Sequence, residues 1–538
     1  MHRLVNLRHL NFIGTSVNKK PMHLGKLRNL QTLTSFYVSK CSGSSIKELG
    51  QLDSLRGQLS IFQLQNVVFP IDAVMANLKN KKYLETIELG WSEKNESSIS
   101  ERDVLEKLKP HTNLKRLTIR NYGGTRLPDW FSDGSLFTIV SLELSGCKYC
   151  FSLPQLGQLP FLKELSFSGL DGVVAIGPEF YGNNSSSIVR PFGSLEILEF
   201  RDMLEWEDWC CFEDHIQGAA FACLQELHIQ NCPKLTGKVP QHLPCLTKLV
   251  IDRCHQLESS IPRAPVMENL ELKECKTVLL KHLPSTLATV EIRGSGIPDS
   301  LLWKILINNL SVKRLSIVNC PDVELPMCNC YTSLKQLYVK DSCDSLRSFS
   351  LNFFPKLQKL FLYSCKYLET LSNSEEGQEF MTSLSWLRIR GCSKFVSFGN
   401  GGISAPKLEW CHIQDMENMK SLPEQMHTLL PSLGQLILID CPLVNSFPEG
   451  GLPPRIKHLS ISRCSKLVAS RMDWGLCRLH SLQSFYISCG YDNVESFPDE
   501  GLLPTSLSTL SFYKCWNLKS INHKGMLCLA SLKETKYY

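Results

Sequence analysis

No apolar run in this 538-residue chain approaches the roughly 18 residues a membrane-crossing helix requires, so none is expected. The first twenty residues, MHRLVNLRHLNFIGTSVNKK, hold no continuous apolar core and no small-residue cleavage site. That argues against a secretory signal and for an intracellular, cytoplasmic chain. A dominant charge is also missing: 58 Lys plus Arg face 52 Asp plus Glu, and a net +6 on so large a surface does not imply nucleic acid. Catalytic signatures are lacking too. There is no Gly-x-x-x-x-Gly-Lys-Ser/Thr, no His-Glu-x-x-His, no Gly-x-Ser-x-Gly and no Gly-x-Gly-x-x-Gly, and the 14 histidines scatter. The reading is therefore no enzyme, no catalytic residue, no cofactor and no metal.

What the chain has is 43% hydrophobic residues, enough to exclude wholesale disorder, and 23 cysteines. An odd number in so long a chain is a poor disulfide framework. Their positions are more telling, because a pattern Leu-x-x-Leu-x-Leu-x-x-Cys recurs: LQELHIQNC (224–232), LTKLVIDRC (246–254), MENLELKEC (267–275), LQKLFLYSC (357–365), LSWLRIRGC (384–392) and LSTLSFYKC (507–515). This is the leucine-rich repeat.

The middle apolar residue marks each unit, running Leu10, Leu59, Ile87, Leu117, Leu142, Leu165, Leu198, Leu227, Leu249, Leu270, Val290, Leu315, Leu337, Leu360, Leu387, Cys411, Leu436, Leu459, Phe485 and Leu510. With a degenerate unit at Leu33, twenty intervals span Leu10 to Leu510, a mean of 25 residues, inside the range for this repeat. Each Leu-x-Leu reads as a short strand with one face in the core and the other free. The expected fold is an α/β leucine-rich-repeat solenoid of about 21 repeats. A curved horseshoe would carry a parallel β-sheet on its concave face and irregular loops with short helices on its convex face.

Ten cysteines occupy one slot, three residues after the last strand leucine: Cys147, Cys232, Cys254, Cys275, Cys320, Cys365, Cys392, Cys441, Cys464 and Cys515. Thr15 and Ser295 stand there in other units. A small buried side chain that can hydrogen-bond weakly to backbone suits a place where the chain leaves a strand. Cys328-x-Cys330 with Cys320 and Cys343 matches no common zinc spacing.

Beyond the slot many units read apolar-Pro: Leu127-Pro128, Leu153-Pro154, Ile261-Pro262, Ile297-Pro298, Leu422-Pro423, Phe447-Pro448 and Phe497-Pro498. Proline there predicts a return arm that makes no ladder. Repeat lengths suggest residues 1–215 as a part with insertions and 216–538 as a more regular part of one continuous solenoid. Helices are expected over 72–78 and 100–109, with Ser100 and Asp103 as a capping pair, and a mobile loop over 182–187. Both ends fall inside a repeat, which suggests that the chain is part of something larger.

Outward strand positions in consecutive units bring together Tyr338, Lys340, Phe361, Tyr363, Trp386, Arg388, Arg390, Trp410 and His412, followed by Ile437 and Ile439. These are the candidate protein-binding residues, since exposed aromatics beside Arg dominate binding hot spots. Cross-strand stacking would explain the aromatics without a partner. Mixed charge lies upstream at Glu199, Arg201, Glu271, Lys273, Glu291 and Arg293.

Several segments go further. LVNLRHLNFIGTSV (4–17), LRGQLSIFQLQNV (55–67), DAVMANLKNKKYLETIELGW (72–91), LKPHTNLKRLTIRNYGGTRLPDW (108–130), IGPEFYGNN (176–184), FGSLEILEFRDMLEWEDW (192–209) and CPKL (232–235) resemble, in order, the repeat region of plant coiled-coil NB-LRR (NLR) disease resistance proteins. The chain lacks that class's coiled coil and nucleotide-binding (NB-ARC) domain, the Gly-Lys pairs Gly25-Lys26 and Gly237-Lys238 being followed by Leu and Val. The resemblance implies an intracellular module of plant defense and innate immunity. It would sense a pathogen effector, directly or through a guarded host protein, and restrain the nucleotide-binding domain of a full-length receptor. The alternatives are a stand-alone repeat scaffold and a ubiquitin-ligase substrate adaptor, which would need an amino-terminal docking domain. An extracellular repeat receptor would repeat Gly-x-Ile-Pro, met only loosely at Gly237-Lys238-Val239-Pro240.

Overall fold

A computed structural model describes residues 4–12, 23–40, 44–93, 99–182, 190–210, 220–258, 260–275, 283–294, 311–327, 330–373, 383–399, 401–488 and 494–537, with Leu302, Ile305 and Leu306. The expected loop over 183–187, Thr15, Ser295, Cys328, Ile297-Pro298 and the boundary near 215 lie outside these residues. The chain forms two compact units, residues 1–286 and 287–538.

Each unit is a leucine-rich-repeat solenoid in its own right, because each Leu-x-Leu stretch is a strand that pairs in parallel with the strand of the next repeat. In the first unit Leu59 pairs with Ile87, Ile87 with Leu117, Leu117 with Leu142, and so on through Leu227, Leu249 and Leu270. In the second, Val290, Leu315, Leu337, Leu360, Leu387, Cys411, Leu436, Leu459, Phe485 and Leu510 align in turn. The Leu33 unit is degenerate as expected, its strand broken into Thr32–Leu33 and Ser35–Tyr37. The strand Glu534–Tyr537 is complete enough to pair over four residues with Thr509–Phe512.

The core follows from this register. One repeat turns Leu357, Leu360, Leu362, Cys365, Leu368 and Leu371 inward, all buried, and its neighbours stack the same set above and below. Burial on this pattern, repeated along the stack, supplies the main stabilisation, since a fully buried Leu contributes about 1.5–3 kcal/mol. A single repeat could not bury its own apolar side.

The cysteine slot works as a corner. The residue before it adopts the left-handed conformation, as at Asn231 (φ 53°), Gly391 (φ 67°) and Asp440 (φ 51°), which Asn, Asp and Gly tolerate best. Its N–H extends the ladder one step: Ser364 donates to the Arg390 carbonyl at 2.7 Å. The buried thiol then donates to a carbonyl two residues back, and often to one in the preceding repeat; Cys275 reaches Lys273 O at 3.1 Å and Ile251 O at 3.5 Å. Burial pushes the thiols of Cys147 and Cys275 up to about 12 and that of Cys320 to about 11, so they stay protonated and unreactive at neutral pH.

The opposite side carries short helices, Pro70–Met75 and Ile99–Lys107 among them, and single 3-10 turns. Insertions in the first unit bury Trp130, Tyr181, Trp206 and Trp209, with the Trp209 indole donating to the Tyr181 hydroxyl at 3.0 Å. The expectation of a ladder-free return arm is corrected. Ala175–Ile176 pairs with Asp208–Trp209, Ser348–Ser350 with Thr370–Ser372, and Ser496–Phe497 with Ser520–Ile521. Pro498 does not prevent the last pairing because the strand ends one residue before it.

Candidate functional site

Alternation along each strand leaves three outward positions per repeat, and exact register stacks them into three columns. From Gln336 to Ser488 these columns contain no carboxylate: the charged side chains are Lys340, Lys359, Arg388 and Arg390, with His412 and His458. The nine candidate residues all fall here, on the four adjacent strands Gln336–Lys340, Lys359–Tyr363, Trp386–Arg390 and Trp410–Gln414. They form one contiguous surface.

Two aromatic groups make up its relief. Tyr338, Phe361 and Tyr363 form the first, with the Tyr338 ring 5.2 Å from Tyr363 and 6.1 Å from Phe361. Trp386 and Trp410 stack at 4.4 Å in the second, and His412 meets the edge of Trp410 at 5.4 Å. Cations tie the two together. The Arg388 guanidinium lies 5.5 Å from the Tyr363 ring centre and the Lys359 ammonium 5.9 Å from that of Trp386. The aromatics thus do stack across strands, yet Trp386 remains 38% exposed, a large apolar side chain left in water.

Arg390 pairs with Asp415 at 3.1 Å and Lys340 lies 3.9 Å from Asp341, so both are partly neutralised. Among the described residues Arg388 has no acidic partner: its Nε is buried and finds no hydrogen-bond partner there, and the same holds for Nε2 of His412, its register partner on the next strand. Burial first, and then the nearby Arg388 charge, lower the His412 pKa to about 4. The imidazole is therefore neutral at pH 7.

Beyond these strands the face holds a notch of about 330 Å³ whose lining includes Ile437, His458, Tyr486, Ser460, Ser484 and Ser511. The sequence reading missed this feature, along with Lys359 and the burial of His412. Its signal was a run of serines at outward positions, where small side chains leave space.

The matching face of the first unit is finished differently. Arg120 bridges Glu88 at 2.7 Å and Glu143 at 3.2 Å, while Ser60 donates to Glu88 at 2.8 Å. Glu199 accepts from Ser166 and pairs with Arg201 at 3.0 Å; Glu226 pairs with His228 at 2.9 Å, and Glu271 with Lys273 at 2.8 Å. The His228 hydrogen bond, and then the Lys248 charge, hold the Glu226 carboxyl below the usual range despite partial burial. This wall satisfies itself.

Among the described residues no group of three or more His, Cys, Asp or Glu could hold a metal ion, and no helix is long and apolar enough to cross a membrane. Of the cysteines weighed for zinc, Cys320 and Cys343 are buried and Cys330 is exposed.

Residues 46–170 match the family of R13L1/DRL21 leucine-rich repeats. A disease resistance relative from Arabidopsis thaliana is 28% identical across 93% of this chain and 48% of its own length. The RPP13-like protein 1 of the same plant is 36% identical across 67% of this chain and 29% of its own. Disease resistance protein RGA2 of Solanum bulbocastanum is 31% identical across 49% of this chain and 27% of its own. The chain thus spans about half, or less, of the length of these relatives. Among solved structures, a leucine-rich-repeat protein of Leptospira interrogans is 17% identical with a TM-score of 0.44, covering 77% of this chain and 90% of that one. YopM of Yersinia enterocolitica gives 17% and 0.42, covering 79% and 87%.

Proposed function

Because the chain is a leucine-rich-repeat region of the plant disease resistance type, we propose that it recognises protein, and that it does so through the open sheet face between Tyr338 and His412. The one observation that carries this placement is the Trp386–Trp410 stack flanked by Arg388 and Lys359, a half-exposed aromatic and cationic surface with no carboxylate in its columns. Tyr338, Lys340, Phe361, Tyr363, Trp386, Arg388, Arg390, Trp410 and His412 are the contact residues of this reading.

The partner class is a pathogen effector or a guarded host protein, sensed inside the cell, with the same repeats restraining a nucleotide-binding domain in a longer receptor. The mechanism asks only for binding chemistry. Desolvation of the two tryptophans supplies affinity, and the cations orient and steer a partner of opposite charge. No step requires a cofactor or a bond to be broken.

The test screens displayed effector proteins for binders of the chain, then measures each against Trp386→Ala and Trp410→Ala variants whose melting is followed in parallel. Binding is expected to fall while Tm stays within a few degrees. Binders that keep full affinity for both variants would place the contact elsewhere.

A further inference from the structure

Resting on that reading, we propose that Arg388 and His412 together form a seat for a carboxylate side chain of an acidic protein segment, with the ring groups on either side holding the apolar residues next to it. Three independent features point there. Nε of Arg388 and Nε2 of His412 belong to register partners, and both are buried and without a hydrogen-bond partner among the described residues. His412 as a whole is only 7% exposed. A buried polar atom left unpaired costs about 1–3 kcal/mol, so a face that retains two side by side is complementary to something that would satisfy them.

The second feature is charge. The outward columns from Gln336 to Ser488 bring four cations and no carboxylate, and of those cations Arg390 has Asp415 and Lys340 has Asp341, which leaves Arg388 and Lys359, among the described residues, turned toward rings instead of toward acids. The first unit shows the alternative, where Arg120, standing in the column that Arg390 occupies in the second, is clasped by Glu88 and Glu143 from its own chain. The third is the frame. Tyr363 lies under the Arg388 guanidinium and Trp410 packs nearly perpendicular to His412, so the donor pair sits between the two aromatic groups.

A carboxylate entering there displaces ring edges by side-chain rotation and accepts from Arg388 and from the imidazole. Charge-assisted bonds of this kind are about twice as strong as neutral ones. The groups facing His412 are Arg388 and Arg390 on one side, Gln414 on its own strand, whose side chain hydrogen-bonds with it, and Asp415 just beyond that strand, while the next strand offers Gln435, Ile437 and Ile439. An incoming carboxylate opposes the two arginines, raises the imidazole pKa, and draws a proton onto His412 at pH values where the free protein leaves it neutral. Binding therefore strengthens as pH falls.

The test uses the full chain and three probes: a capped peptide Leu-Asp-Phe-Asp-Leu, its counterpart with Asn for both Asp, and inorganic phosphate. The acidic peptide should bind about tenfold or more tightly than its amide counterpart, and gain a further severalfold in affinity from pH 7.5 to 5.5. Arg388→Gln should erase the preference for Asp, and His412→Gln should erase the pH dependence while leaving part of the preference. Equal affinity for both peptides, lost in Trp386→Ala, would keep this face as a protein-binding surface and overturn the carboxylate seat. Failure of every probe would overturn the seat as well. Displacement of the acidic peptide by phosphate at lower concentration than by free peptide would overturn it in favour of a phosphoryl group. The peptide comparison and the pH series use the unaltered chain, so they decide even if a variant misfolds.

Discussion

In the first unit Glu88, Glu143, Glu199, Glu226 and Glu271 each find a cation, an imidazole or a hydroxyl on the same or a neighbouring strand. In the second, the corresponding columns hold Tyr338, Phe361, Arg388, His412 and Ile437, and two of their nitrogens find no partner among the described residues. Apart from one register shift between Gly57 and Gln58, both ladders pair in parallel in the same way, so the difference lies in outward side chains, which the core does not constrain. A repeat protein can therefore keep one stretch of its sheet self-neutralised and make another into a binding face without altering a single inward leucine.

The largest effect that would sharpen this contrast is on binding. Replacing Trp386 and Trp410 together by Ala should weaken a captured partner by about a hundredfold or more, as expected for paired aromatic hot spots, and titration calorimetry with a parallel thermal melt would separate this from unfolding. The two side chains are part-exposed, so the melt should move little.

Next comes pH. The His412 pKa is lowered from its ordinary value of 6.5 to about 4. A depressed value means the contribution is fully present above the unfolded pKa and is lost as pH falls through the folded one. Urea unfolding of the unliganded chain should lose about 2–3 kcal/mol between pH 7 and pH 4 through this one group, and His412→Gln should flatten that part of the curve. An unchanged profile in the variant would mean that the imidazole is not held neutral by burial.

A smaller loss should follow on the self-paired wall. Arg120→Ala removes the cation that two carboxylates share, and should cost about 1 kcal/mol of stability with no change in partner affinity. Arg201→Ala, whose single pair with Glu199 is open to solvent, should stay within about 0.5 kcal/mol. A binding defect in either variant would erase the distinction between the two faces.

Much of the architecture was legible because it is periodic. The marker residues align one against the next even where Cys411 and Phe485 stand in for leucine, since a parallel ladder with a buried face cannot slip by one residue without turning its leucines outward. The left-handed corner was only half legible, since Asn, Asp or Gly precedes Cys147, Cys232, Cys320, Cys392 and Cys441, while Arg253, Glu274, Ser364, Arg463 and Lys514 adopt the same conformation before the other five. The short return ladders were not legible. Ser348–Ser350 and Thr370–Ser372 lie on one repeated pattern, Cys343-x-x-Leu346-x-x-Phe349-Ser350 and Cys365-x-x-Leu368-x-x-Leu371-Ser372, but a Leu-x-x-apolar spacing does not by itself specify a strand. At the candidate site, register alone brought nine residues together. It could not show that His412 is covered or that Arg390 reaches Asp415, because those outcomes depend on side-chain packing between strands 25 residues apart.

The division of labour between the two faces is open to one direct measurement: hydroxyl-radical footprinting of the full chain, free and bound to a captured protein partner, read by mass spectrometry. The prediction is that oxidation of Trp386, Trp410 and Tyr363 falls on binding while that of Tyr83 and Phe137 in the first unit, both exposed, is unchanged. Protection of Tyr83 or Phe137 with Trp386 still fully oxidised would contradict it.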